Sequence, residues 1–328
     1  MTKTKSATTA ANVPAGNAKF PLGGRRKAPP QTARKNLASL ETATGAAAPI
    51  PHSALRNPQS CNGPAAQVAL TLDRLRARHP LVHCMTNEVV KDITANVLLA
   101  TGAAPAMVEH PDEAAEFAAI ADALLVNLGT LDDYQMTAMR RAIDTANRAR
   151  KPWVLDPVAV GPLTTRTQFA REILQHNPTL IRGNASEIIA LAGHAAKGRG
   201  VDSGDTSEAA LAAAASLVSQ TGAVVLVTGP VDYAVGASRI LTCSNGHELL
   251  TRVTGVGCAQ GALAAACLAV VDNPIKAAAT AAALIALAGE LAAARAPRPG
   301  SFRVALLDEL DRLDAPTIRQ HARLECRG

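Results

Sequence analysis

Aromatic residues are scarce: one Trp, two Tyr and four Phe make up 2% of 328 residues. Proteins that track single-stranded nucleic acid stack bases on such rings, so a base-stacking surface is excluded. Acidic residues are scarce in one region only. Residues 1–60 carry nine Lys or Arg and one acid, Glu41, leaving 24 basic against 26 acidic residues in the remainder. The net charge of +6 therefore belongs to the amino-terminal segment, and the rest of the chain has no basic field for nucleic acid.

Paired cysteines are missing too. Cys61, Cys84, Cys243, Cys258, Cys267 and Cys326 form no Cys-x-x-Cys and no Cys/His metal spacing, so neither a disulfide framework nor a zinc site is expected. A reduced, cytoplasmic setting fits that usage. The phosphate loop Gly-x-x-x-x-Gly-Lys-Ser/Thr does not occur, which disfavours that nucleotide-binding fold. No uninterrupted apolar run has the ~18 residues of a membrane span. The nearest, Ala277 to Ala294, is broken by Thr280, Gly289 and Glu290 and reads as a packed helix, so no membrane partner is expected.

What is present divides in two. Residues 1–63 are rich in Ala, Pro, Thr, Lys and Arg without hydrophobic period, and predict a disordered basic tail. Its acid-poor composition is like that of an organelle transit peptide, and it has no apolar secretory core. Residues 64–328 predict one α/β domain. Apolar runs at Leu81–Met85, Asp122–Leu128, Trp153–Pro157, Thr179–Arg182 and Ala223–Thr228 have the continuity of buried parallel strands, and helical patterns separate them. Short strands are expected at Pro105–Val108, Tyr233–Val235, Arg239–Thr242 and Glu248–Leu250, the last two joined by a Ser244-Asn245-Gly246 turn. Gly198 to Asp205 reads as a loop, and the carboxyl-terminal region as helical.

In a mostly parallel sheet, ligands bind at the carboxyl ends of the strands. That rule gathers Thr86-Asn87, Asn127 to Gly129, Asp156, Arg182 to Asn184, Thr228-Gly229 and Thr254 to Cys258 along one edge. The last of these opens the segment TRVTGVGCAQGALAAAC, Thr251 to Cys267, read as a strand end, a glycine turn and a helix of small residues. Gly255 and Gly257 permit positive φ and close approach. The helix start offers free N–H groups and the positive end of a dipole, which suits a phosphate. Cys258 falls in that first turn, where a thiolate is expected to be stabilised.

Six segments in order resemble the hydroxyethylthiazole kinase family: PLVHCMTNEVVKDITANVLLATGAAPAMV (80–108), LDPVAVG (155–161), IRGNASEI (181–188), GRGVD (198–202), VTG (227–229) and TGVGC (254–258). The resemblance runs from about Leu75 to the carboxyl terminus. It implies a ribokinase-like fold, a three-layer α/β/α sandwich around a mostly parallel sheet. It implies Mg²⁺-dependent transfer of the γ-phosphoryl group of ATP to the primary alcohol of 4-methyl-5-(2-hydroxyethyl)thiazole, and a homotrimer with the thiazole site at a subunit boundary. Residue by residue, Cys258 would face the substrate hydroxyl as a helpful but dispensable base, where ribokinase relatives carry aspartate. Gly255 and Gly257 would form the phosphate hole, Gly255 also meeting substrate by its backbone. Met107 would line the thiazole pocket, Arg182 and Thr228 would contact ATP, and Glu187 and Asp156 would organise the metal indirectly. The chain departs from the family's usual Gly-Thr-Gly-Cys at Val256. The pattern also admits a kinase for another small heterocyclic alcohol, or a nucleotide-binding protein without turnover; retained Cys258, Glu187 and Arg182 speak against the latter.

Overall fold

The computed structural model describes residues 63–193 and 207–327. The expected tail, except its last residue, and the Gly198 to Asp205 loop lie outside them. Nine strands form one sheet in the spatial order β2 (Ala104–Ala106), β1 (Leu81–Met85), β3 (Ala123–Asn127), β4 (Trp153–Asp156), β5 (Leu180–Asn184), β6 (Val224–Thr228), β7 (Asp232–Val235), β8 (Ile240–Cys243) and β9 (Leu324–Arg327). Strands β2 to β6 in that order run parallel; β7, β8 and β9 extend one edge antiparallel.

The strand side chains alternate between two cores, as a pleated sheet requires. Val82, Cys84, Leu125, Val154, Leu180 and Leu226 point to one face. There they meet α1 (Pro64–Arg78), α2 (Lys91–Thr101), α8 (Val256–Leu268), α9 (Pro274–Arg295), α10 (Pro299–Arg312) and α11 (Ala315–His321). Met85, Leu124, Val126, Trp153, Leu155, Ile181 and Val225 point to the other, against α3 (Pro111–Ile120), α4 (Asp133–Arg148), α5 (Thr164–Leu174), α6 (Ala185–Leu191) and α7 (Ser207–Thr221). The result is the expected three layers. The same alternation decides where the polar strand ends go. Asn127, Asp156, Arg182 and Thr228 each lie two residues beyond a side chain of the first face, namely Leu125, Val154, Leu180 and Leu226. All four therefore point toward α8.

Helix α8 is enclosed: every residue from Ala259 to Leu268 is buried. It packs on β1, β3 and β4, with α2 and α9 beside it. Only Ala and Gly in quantity allow such close approach. An isobutyl group added at Ala264, which is wholly buried, would overpack this layer at a cost of about 1–3 kcal/mol. Helix α9, 22 residues, is long and apolar enough to cross a membrane by length and composition, contrary to the expectation that no segment qualifies. It is nevertheless a core helix, with 83% of its most apolar window buried.

Two local expectations are overturned. Glu248–Leu250 is not a strand but part of a 3₁₀ turn, Glu248–Arg252, so no strand precedes the glycine turn. The reason is local: His247 Nδ1 accepts the Leu249 N–H at 3.2 Å, and Leu250 N–H reaches back to His247 O at 3.0 Å. These short-range bonds outcompete a ladder. The carboxyl terminus is not helical throughout. Its last described residues, β9, pair with β8 in register Cys243↔Leu324. The Ser244-Asn245-Gly246 segment serves that closure instead of a hairpin: Arg323 N–H donates to Asn245 Oδ1 at 2.6 Å, and Gly246 N–H to Glu290 Oε1 at 2.9 Å.

Candidate active site

The glycine corner begins α8. Gly255 sits at φ +90°, and a Cβ there would come within 2.7–2.8 Å of Ile93 of α2 and of Val90 just before it. Both the backbone and the packing therefore demand glycine. No side chain caps this helix start. The open place is instead covered by a cation. A Cβ on Gly257 would lie 2.6 Å from Nη2 and 3.0 Å from Nη1 of Arg182, so the guanidinium rests directly on the first turn.

Arg182 comes from β5 with 12% of its side chain exposed. Its Nε donates to Gln260 Oε1 at 3.1 Å and its Nη2 to Thr228 Oγ1 at 3.2 Å. Its Nη1 stands 3.7 Å from Asp156 Oδ1. Burial opposes the guanidinium charge, but Asp156, Glu187, Cys258 and Asp232 together outweigh it and hold the pKa above its ordinary value. Thr228 Oγ1 also donates to Gly183 O at 3.3 Å.

A second chain of polar groups runs from Asp156 to the sulfur. Asn127 Nδ2 donates to Asp156 Oδ2 at 2.6 Å, and Asn87 Nδ2 donates to Asn127 Oδ1 at 2.9 Å and lies 3.7 Å from Cys258 Sγ. The backbone N–H groups of Gly129 and Val89 donate to the two amide oxygens, at 3.0 and 3.2 Å. An N–H can only donate, so the fold itself fixes both amide orientations. Asn87 thus presents a donor to the sulfur.

The electrostatics correct one expectation. Cys258 is not a stabilised thiolate: burial and then the neighbouring Asp156 push its pKa up to about 11, outweighing Arg182. Asp156 is fully buried, and burial raises its pKa to about 7 despite Arg182; the charge of Glu187 adds to the rise. Asp156 Oδ1 has no hydrogen-bond partner among the described residues. A carboxyl poised near neutral pH with one unused oxygen is suited to receiving a proton or a hydrated cation.

Glu187 lies across from Asp156 at the start of α6. It completes a capping box with Asn184: its Oε2 accepts the Asn184 N–H at 2.9 Å, and Asn184 Oδ1 accepts the Glu187 N–H at 3.0 Å. Its Oε1 accepts the Ala159 N–H at 3.0 Å. No group of three or more His, Cys, Asp or Glu able to hold a metal ion occurs among the described residues. A protein-caged ion therefore does not fit. An ion that keeps its waters and is carried by phosphates needs only one or two carboxylates, and the pair Asp156 and Glu187 fits that case.

The structure thus brings Gly255, Gly257, Cys258, Asp156, Arg182 and Thr228 to one corner, with Glu187 beside it. Met107 follows β2 and packs, partly buried, against the same α8-side core as Cys258. Val256 is 4% exposed and packs in the apolar core on the α8 side of the sheet. The sequence gives no role to Gln260 or Asp232, which join the network through Gln260 Nε2 donating to Asp232 Oδ2 at 3.3 Å. Gln260 sits in an otherwise small, apolar helix, which is the one signal that could have singled it out. A cavity of about 390 Å³ opens elsewhere, between Lys151, Thr179, Leu268 and Asp272, at the opposite ends of the strands; none of the expected site residues lines it.

An uncapped helix start under a largely enclosed arginine, at the carboxyl edge of a three-layer sandwich, makes a candidate anion-binding corner on a ribokinase-like fold. The architecture has its counterpart in a ribokinase-like superfamily protein from Enterococcus faecalis (TM-score 0.53, 14% identity, 72% of this chain and 88% of that one), a likeness of fold alone. Residues 72–316 match the model of the hydroxyethylthiazole kinase family. Hydroxyethylthiazole kinase of Kineococcus radiotolerans is 55% identical over 265 residues, 81% of this chain and 96% of that protein. Hydroxyethylthiazole kinase of Klebsiella pneumoniae is 56% identical over 245 residues, 75% and 95% of the two. The solved hydroxyethylthiazole kinase protein of Pyrococcus horikoshii OT3 shares 40% identity at a TM-score of 0.74, covering 80% of this chain and 99% of that one. The chain belongs to the hydroxyethylthiazole kinase family, and is a kinase.

Proposed function

We propose that this corner phosphorylates the primary alcohol of 4-methyl-5-(2-hydroxyethyl)thiazole with ATP, a step of thiamine metabolism, and that its residues divide the work as follows. The observation that carries the reading is the Arg182 guanidinium lying on the uncapped first turn of α8. The N–H groups of Gly257 and Cys258, the helix dipole and Arg182 receive the transferring phosphoryl group. Thr228, one strand further, holds the nucleotide beside Arg182. The alcohol lies on the Met107 side, its hydroxyl toward Cys258 and its ring meeting Met107 and the backbone of Gly255.

Phosphoryl transfer passes through a loose transition state in which positioning and charge neutralisation carry most of the rate. The alcohol proton leaves late, when the oxygen has become acidic, so a strong base is not required. A thiol with a pKa of about 11 is almost wholly protonated at neutral pH, which makes Cys258 a helper that shapes the hydroxyl site. Asp156, poised near 7, is the better matched acceptor. Mg²⁺ would neutralise the phosphate charge, held through water by Asp156 and Glu187. The kinase works in the cytoplasm as a homotrimer, with the alcohol site at the boundary between subunits; Val89, just before α2, and Leu99, within it, are exposed apolar residues available to such a contact.

Measuring ADP release with and without the thiazole alcohol tests the activity. Release that depends on the alcohol supports it; ATP binding with no turnover on this alcohol would sink it.

A further inference from the structure

We propose that Gln260 is a positioning residue: it holds Arg182 over the open start of α8 and keeps the Asp232 carboxylate from closing onto the guanidinium. This rests on the reading that Arg182 receives nucleotide phosphate. Gln260 is one turn into α8 and 4% exposed. Its oxygen accepts from Arg182 Nε at 3.1 Å, and its amide nitrogen donates to Asp232 Oδ2 at 3.3 Å. Arginine offers only donors and an ionised carboxylate only acceptors, so the amide has a single workable orientation between them. The other oxygen of Asp232 is engaged by the Gly229 N–H at 3.0 Å.

Among the described residues no ion pair joins Arg182 to Asp232. A direct pair would be bidentate and would commit the donors a phosphate needs. As it is, Arg182 uses Nε on Gln260 and one Nη2 hydrogen on Thr228, while Nη1 stays at 3.7 Å from Asp156. The remaining Nη hydrogens belong to the atoms nearest Gly257. A neutral side chain that accepts at one end and donates at the other keeps the two charges apart and the guanidinium forward. Leucine offers neither function, and glutamate would accept from Arg182 but repel Asp232.

Steady-state kinetics on the full chain test this in a double-mutant cycle. Gln260→Leu is expected to raise KM for ATP about tenfold and to leave KM for the alcohol within about twofold. In the Arg182→Ala background the same change should add less than about twofold, because its route is gone. Adding Asp232→Asn to Gln260→Leu should recover much of the ATP affinity, which a merely structural role for Gln260 would not predict. If Gln260→Leu does not fold, Gln260→Glu carries the same test, with a raised KM for ATP again expected. An unchanged KM for ATP in the Gln260 variant, or losses that multiply fully in the double variant, would overturn the inference while leaving Arg182 in place. An unaltered KM for ATP in Arg182→Ala alone would overturn the nucleotide reading itself and this inference with it.

Discussion

Two helices begin at the same edge of the sheet and are finished in opposite ways. The start of α6 is closed: Asn184 and Glu187 exchange bonds in a capping box, and the second oxygen of Glu187 takes the Ala159 amide. The start of α8 is open: Gly255 provides no capping side chain, and Arg182 lies over the first turn. Both have the same macrodipole sign and the same orphan amides. On the proposed reading, a helix start becomes an anion site when its own side chains decline to satisfy it and a cation is brought in from elsewhere. Glycine does the first here, and β5 the second.

Breaking the open start has the largest expected effect. Arg182→Ala should lower kcat/KM for ATP by about 10²–10³, the usual loss for one donor aimed at developing charge, with circular dichroism confirming the fold. The helper at that start counts for less: Cys258→Ala should lower kcat by about tenfold or less, since little thiolate exists to be lost. Alkylation of Cys258 should likewise be slow at pH 7–8 and rise only toward pH 11.

The closed start should answer in stability instead. Asn184→Ala removes a cap worth about 1 kcal/mol, a fall in Tm of about 2–4 °C in a domain of this size, read by thermal unfolding. Glu187→Gln keeps an acceptor for only one of the Asn184 and Ala159 amides, at some cost in stability, and removes a charge that raises the Asp156 pKa. The sign follows. Ionised Asp156 is the active form, so the native enzyme should gain activity as pH rises through about 7, and the variant's rise should lie at lower pH. The smallest effect belongs to Val256→Thr, which puts a hydroxyl into the apolar core around α8; kcat should stay within about twofold, with any cost appearing in Tm.

How far the molecule was legible in its residues follows the same division. Apolar runs such as Ala123–Asn127 and Trp153–Asp156 announced buried strands because both faces of a parallel strand are covered. Their polar last residues marked the edge where the candidate site lies; Gly255 marked a turn that needs positive φ, and Gly257 the close approach of Arg182. The 3₁₀ turn at Glu248–Arg252 was hidden because a histidine cap, not hydrophobic period, decides it. Strand β9 was hidden because its partner β8 lies some 80 residues earlier and its four residues are mostly exposed. The thiol of Cys258 was misjudged for a physical reason. Position in a first turn favours a thiolate, but burial and the charge of Asp156 are tertiary facts, and they prevail. Gln260 and Asp232 are invisible for the same reason: a helix and the antiparallel edge meet at Arg182 only once the sheet is assembled.

The most direct test is a crystal structure of the protein with a non-hydrolysable ATP analogue. The terminal phosphate should lie within hydrogen-bond reach of the Gly257 and Cys258 amides and of the Arg182 guanidinium. A terminal phosphate seated instead at the start of α6, beside Asn184, or in the cavity near Lys151 and Thr179, would contradict the account.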